Sequence, residues 1–261
     1  MSNPLVHRVA LVTGAGQGIG RGIALSLARA GADVVANDVG LEAARDTARE
    51  VAELGRRSLA VQADVSDAAQ VQAMVERAVA ELGAVHILVN NAGIAQPAFI
   101  TELSEETWDR TMAVNLKSMF LCSKAVAPRM MAQRYGKIVN VSSKSGKQGG
   151  LWLTAYCASK FGVIGFTQSL AMDLAPYGVN VNAICPGTVY TPLWDNVLAE
   201  AYARKLGMPV DQVRDYYTSK IPLGREVTLE EIGNVVTFLC SDQASYMTGQ
   251  AINITGGQEM R

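Results

Sequence analysis

Tyr156 and Lys160 stand four residues apart in "TAYCASK" (154–160), and small residues fill most of the space between them. On a helix, that spacing puts a phenol and an ammonium on one face. A free phenol, with a pKa of about 10, is a poor base near neutrality. A nearby positive charge favours the phenolate and lowers that value. Such a tyrosine can take the hydroxyl proton of an alcohol, or return it to a carbonyl oxygen. Ser143 comes thirteen residues before Tyr156, at the end of an apolar run, and its hydroxyl can hydrogen-bond the reacting oxygen. Asn115 is polar where an apolar residue would pack better, and it can hold a water that relays protons. Each piece has a plain alternative. Tyr-x-x-x-Lys arises by chance in many helices, "VSS" ends many strands, and a mid-helix asparagine is usually at the surface. Order and spacing together carry the chemistry.

A second group of residues suits a dinucleotide. "TGAGQGIG" (13–20) follows an apolar run and opens a helical pattern. Gly14, Gly18 and Gly20 permit a tight turn and a close backbone approach to phosphate, and the helix start then offers N–H groups to a pyrophosphate. Gln17 and Ile19 complete the turn without a basic side chain. Asp38 ends the next apolar run, 18 residues past Gly20. A carboxylate there accepts hydrogen bonds from ribose hydroxyls and repels a 2′-phosphate, which points to NAD over NADP. Asp64 and Val65 end the third run, where the sheet edge would meet the adenine. By itself, a glycine-rich turn is also an ordinary strand-to-helix connection, and Asp38 alone is also a solvated turn residue.

These residues must be held by a sheet. Strand-like apolar runs cover 8–14, 33–38, 58–64, 85–91, 136–143, 179–187 and 250–257, and helical patterns cover 18–30, 41–54, 67–82, 104–133, 155–176 and 228–240. Continuous apolar runs are the mark of parallel strands buried on both faces. The alternation predicts an α/β fold: one doubly wound, seven-stranded parallel sheet with helices on both faces, in a single domain over 1–261. Residues 192–222 break the alternation with a helical insert rich in aromatics (Trp194, Tyr202, Tyr216, Tyr217), expected to be a substrate lid.

Composition narrows the partners. With 261 residues, 49% apolar and 18% charged, the chain matches an ordinary globular protein. A net charge of −1 gives no reason to expect a nucleic acid or an anionic membrane as partner. No apolar stretch reaches the length of a membrane span, and no early basic-flanked apolar run marks a signal peptide. Cys122, Cys157, Cys185 and Cys240 are scattered, with no CxxC pair and no histidine cluster. They are expected as buried thiols in a reducing, cytoplasmic compartment, with no metal site.

Taken together, "TGAGQGIG" (13–20), "NNAG" (90–93), Asn115, Ser143, "YCASK" (156–160) and "PGTVYTP" (186–192) resemble the short-chain dehydrogenase/reductases over nearly the whole chain. The resemblance implies a Rossmann fold and hydride transfer at a nicotinamide. It implies Ser143 as oxygen stabiliser, Tyr156 as acid and base, and Asn115 as relay residue. Lys160 would both tune Tyr156 and bind the nicotinamide ribose. In the same way Asn91, with Ala92 and Gly93, would lie near the adenosine ribose. Val189 and Thr191, following Pro186 and Gly187, would hold the carboxamide. A homotetramer is the assembly that the resemblance implies.

The substrate is less constrained. Residues 202–225, 244–260 and "SSKSGKQGG" (142–150) are similar to sorbitol-6-phosphate 2-dehydrogenases and related polyol dehydrogenases. Lys144 and Lys147 could hold part of a phosphate there, or could simply be solvated loop lysines. Trp152 and Trp194 offer apolar walls, and Ser145, Gln148, Thr154, Asp195 and Asn196 are candidate hydrogen-bond partners for a small-molecule substrate. A sugar alcohol or its phosphate is the leading expectation. The alternatives are an acyloin or diol, a 3-oxoacyl thioester, and an NAD-binding sensor or scaffold without catalysis.

Overall fold

The computed structural model describes residues 3–261. Seven strands form one parallel sheet: β1 (Val9–Val12), β2 (Asp33–Asp38), β3 (Ser58–Gln62), β4 (Ile87–Asn90), β5 (Gly136–Val141), β6 (Val179–Pro186) and β7 (Ala251–Ile254). Their order across the sheet is β3-β2-β1-β4-β5-β6-β7. The chain winds outward from β1 in one direction, then returns and continues in the other. That reversal opens a crevice beyond the carboxyl ends of β1 and β4, where α/β sheets bind ligands.

Side-chain alternation along β1 shows how the two layers arise. Ala10 and Val12 join a core with Ile23 and Leu27 of α1 (Gly18–Arg29) and Ile232 and Val236 of α9 (Leu229–Cys240). Val9 and Leu11 point the other way. There they join Val71 and Met74 of α3 (Ala68–Leu82), Val126 and Met130 of α5 (Ser118–Gln133) and Leu174 of α6 (Thr154–Leu174). A strand covered on both faces has no solvent side, so its sequence is apolar throughout. The remaining helices are α2 (Leu41–Glu53), α4 (Glu105–Met112), α7 (Ala199–Leu206) and α8 (Val210–Thr218).

The helical pattern over 104–133 is not the single helix expected from sequence: α4 and α5 are joined by a wider π-helical segment, Ala113–Lys117. Insertions of this kind recur at functional sites. Asn115 sits in its middle, fully buried. The 192–222 insert is helical as expected, with a π-helical turn at Trp194–Leu198 leading into α7 and α8. No helix among the described residues is long and apolar enough to cross a membrane.

Candidate active site

A cleft of about 540 Å³ runs along the carboxyl ends of the strands and under the insert. Gly14, Gln17, Gly18, Ile19 and Gly20 line one end, on the turn between β1 and α1. Gly14 has φ of +60°, and a Cβ on Gly20 would lie 2.1 Å from the Gly14 carbonyl oxygen, so the turn closes only with glycine at both positions. Helix α1 has no side-chain cap, which leaves its first N–H groups for an anion. Asn91 braces the turn from the end of β4: its side-chain amide donates to the Thr13 and Gly14 carbonyls at 2.9 and 3.0 Å. The Thr13 hydroxyl accepts from the Asn91 and Ala92 amides, a role that a lone threonine before glycine does not announce in sequence.

Asp38 closes β2 and lines the same end. Its two oxygens accept from the Gly16 and Gly40 amides, both at 3.0 Å, which aims the carboxylate across the turn. Asp64 and Val65 lie beyond it. Asp64 is held by Ser66 and by Arg110, at 3.2–3.3 Å from the guanidinium. Burial works to raise its pKa, but these bonds outweigh burial and hold it below the usual carboxylate range. Arg110 is therefore already paired. The cleft's other described cations, Lys144, Lys160 and Lys205, belong to other elements or loops. None sits on the glycine-rich turn or beside Asp38.

Ser143, Tyr156 and Lys160 meet at the middle of the cleft. Ser143 follows β5, while Tyr156 and Lys160 share one face of α6. The Lys160 Nζ donates to the Val141 carbonyl at 2.8 Å and lies 5.7 Å from the centre of the Tyr156 ring. Burial brings the Lys160 ammonium down to about 8. Burial pushes the Tyr156 phenol up, and the Ser143 hydroxyl beside it draws it partly back. In so dry a place an ammonium acts on a phenolate more strongly than in water. The set can therefore hold a carbonyl or carbinol oxygen, and can exchange a proton with it at the Tyr156 oxygen.

Asn115 does not line the cleft; it stands behind its wall. Its Oδ1 accepts from the Ile94 amide at 2.8 Å, and its Nδ2 donates to the Ile94 carbonyl and the Ser159 hydroxyl at 2.9 and 3.0 Å. Ser159 in turn donates to the Tyr156 carbonyl. Gly93 lies beside Asn115 and Lys160, and a Cβ there would make only ordinary contacts, 3.4 Å from Asn115 Oδ1 and 3.5 Å from Lys160 Nζ. Asn115 thus ties the loop after β4 to α6. Asn115→Ala removes the partner of the partly buried Ile94 amide and carbonyl and one of the two partners of the Ser159 hydroxyl, and is expected to lower unfolding free energy by roughly 1–3 kcal/mol. Urea denaturation checks this, and an unchanged midpoint would count against the bracing role.

Ala92, Gly93, Pro186, Gly187, Val189 and Thr191 also line the cleft. Of the residues expected to meet a substrate, Ser145, Gln148 and Trp194 line the cleft. Lys147 and Trp152 do not. The short 3-10 turn at Lys144–Gly146 sends the two lysines apart: Lys147 donates to the Ala251 carbonyl of β7 at 2.7 Å. Lys144 stays at the cleft and bonds Gln258 and Thr188 at 3.2 and 3.4 Å. Trp152 takes φ of +64°, and its carbonyl accepts from Ala98. Thr154, Asp195 and Asn196 also lie off the lining. In their place the insert supplies Leu198, Tyr202, Lys205 and Tyr217. Helical spacing marks the first three as one stripe, but only tertiary packing shows that the stripe faces inward.

The fold and this cleft are those of a Rossmann-type α/β protein, with a glycine-rich turn and a serine, tyrosine and lysine in one cavity. Residues 8–201 match the family described as short chain dehydrogenase. The chain is 40% identical to the 3-oxoacyl-acyl-carrier-protein reductase FabG of Thermotoga maritima, covering 96% of this chain and 97% of that one. It is 39% identical to galactitol 2-dehydrogenase of Agrobacterium fabrum, covering 98% and 99%. Its fold matches the crystal structure of a single-substitution variant of actinorhodin polyketide ketoreductase with NADPH, at TM-score 0.93 and 37% identity over 96% and 97% of the two chains. The chain belongs to the short-chain dehydrogenase family: it is an oxidoreductase of alcohols and ketones that uses a nicotinamide cofactor.

Proposed function

We propose that the chain is an NAD-linked dehydrogenase of secondary alcohols, with Ser143, Tyr156 and Lys160 as its catalytic residues. The observation that carries this reading is that these three side chains share one cleft with the glycine-rich turn and Asp38. The open α1 amides and the glycine turn fit a pyrophosphate, and the Asp38 carboxylate fits unphosphorylated ribose hydroxyls. When bound, the nicotinamide supplies the hydride acceptor. The protein's own part is to hold the carbinol oxygen with Ser143 and take its proton at Tyr156 as the carbon loses its hydride. Asn115 positions Lys160 and Tyr156 through Ser159.

The sequence similarity to polyol dehydrogenases, and the galactitol 2-dehydrogenase relative, support a sugar alcohol as substrate. The cleft supports a second reading more strongly. A bare polyol needs a polar group for most of its hydroxyls. Around Tyr156 the cleft offers Ser145 and Gln148, but the larger part of its wall is Leu151, Leu153, Trp194, Leu198, Tyr202 and Tyr217. That wall suits a secondary alcohol or ketone with an apolar body, and the lysine pair expected to receive a sugar phosphate is drawn apart.

The direction of the Tyr156 shift gives a pH test. Burial raises the phenol, so its base form is gained only as pH climbs, and its acid form persists at neutrality. Alcohol oxidation, which needs the base, is expected to gain kcat/KM with rising pH, while ketone reduction loses it. Profiles measured in both directions check this, and parallel profiles would contradict it.

A further inference from the structure

The insert ends the cleft with one helical stripe. Trp194, Leu198, Tyr202 and Lys205 follow at helical intervals, and all four line the cavity that holds Tyr156. The first three form an apolar wall. Trp194 and Tyr202 lie with ring centres 5.5 Å apart, and Tyr156 packs against the same cluster. The stripe then finishes in a cation. The Lys205 Nζ stands 5.3 Å from the centre of the Tyr202 ring. Lys205 is half-buried, and burial lowers its pKa with no carboxylate opposing the shift.

Charge along the cleft is divided. Among the described lining residues the carboxylates are Asp38 and Asp64, both on the β2–β3 side of the sheet. The opposite end holds Lys144, Lys160 and Lys205 and no acid. Lys144 is bound to Gln258 and Thr188, and Lys160 to the Val141 carbonyl. Lys205 alone of the three makes no hydrogen bond or ion pair among the described residues. Held among the described residues only by the Tyr202 ring, this partly desolvated ammonium keeps its N–H donors free for an acceptor brought to it. On a solvated outer face this lysine would be ordinary. Here it closes an apolar stripe inside the cleft.

We propose that Lys205 recognises an anionic group of the substrate. The substrate is then a secondary alcohol or ketone whose apolar body ends, away from the reacting carbon, in a carboxylate or a phosphate. This rests on the dehydrogenase reading above and names the substrate class of the same site. The Trp194–Leu198–Tyr202 wall takes the body, and Lys205 takes the charge.

The test compares 2-heptanol, 6-hydroxyheptanoate and 6-hydroxyheptyl phosphate as substrates with saturating NAD, in the wild-type chain and in Lys205→Met. One or both anionic alcohols are expected to exceed 2-heptanol about tenfold or more in kcat/KM. Lys205→Met should remove that advantage through KM, with kcat and all 2-heptanol constants nearly unchanged. Preference for one anion over the other identifies the group. Equal turnover of 2-heptanol and both anions would overturn the proposal while leaving the dehydrogenase intact, as would an advantage that survives in Lys205→Met. If none of the three is oxidised, the dehydrogenase reading fails for these alcohols, and calorimetry on the NAD-saturated chain decides for Lys205. Octanoate or octyl phosphate binding more tightly than 1-octanol, and only when Lys205 is present, would support it. Equal affinities, or none, would overturn it.

Discussion

Replacing Tyr156 by phenylalanine is expected to lower kcat for alcohol oxidation by about 10²–10⁴-fold, the contribution of a positioned acid–base group, while NAD still binds. The substitution removes one oxygen and keeps the ring. That ring packs with Leu153, Trp194 and Tyr202 in the insert's core, so the wall of the cleft should survive. What disappears is the hydroxyl beside Ser143 that we propose exchanges the proton. The pyrophosphate turn, Asn91 and Asp38 are untouched, so cofactor affinity by fluorescence titration should change little. Loss of both turnover and binding would indicate collapse of the site. Undiminished turnover would remove Tyr156 from the chemistry altogether.

Asp38→Ala carries the second large effect. The carboxylate is fixed by the Gly16 and Gly40 amides, and it faces the place where an adenosine ribose would sit. Hydrogen bonds to a charged acceptor contribute roughly 1.5–3 kcal/mol each. Losing one such bond should reduce kcat/KM with NAD by about 10–100-fold, since 1.4 kcal/mol is a factor of ten. NADP should gain at the same time, because a negative charge no longer opposes its 2′-phosphate. No cation takes over there among the described residues, so the variant should become tolerant of NADP without becoming selective for it. Comparing kcat/KM for the two cofactors checks this. An unchanged ratio would show that Asp38 only braces the turn.

Much of the scaffold is legible in sequence because buried parallel strands leave a direct trace. The Asp33–Asp38 strand is marked residue for residue, its apolar Val34, Val35 and Ala36 framed by Asp33 before and Asn37 and Asp38 after. Other strands are shorter than their apolar runs, since the run continues into the loop that carries the site: Ser143 lies past the end of β5. The π-helical segment around Asn115 escapes a sequence reading, because Ala113–Lys117 holds no glycine or proline to mark a break in the helix. The insert reads as helical and aromatic, but its sequence does not say which stripe faces inward, so nothing singles out Tyr202 and Lys205 as lining residues. Lys144 and Lys147 show the same limit at short range. Their three-residue spacing groups them as one phosphate site, yet a single 3-10 turn delivers one to Gln258 and the other to β7. Spacing along the chain predicts a shared face only where the local helix type is known.

The most direct test of the dehydrogenase reading is NAD reduction at alkaline pH across secondary alcohols, with wild type and Tyr156→Phe side by side. The panel includes sorbitol, galactitol, sorbitol 6-phosphate, 2,3-butanediol, 6-hydroxyheptanoate and a 3-hydroxyacyl thioester. NADH formation is expected from at least one of them, fastest where an apolar body accompanies the alcohol, slower with NADP, and lost in the variant. No reduction with any alcohol, or equal rates in the two proteins, would contradict it.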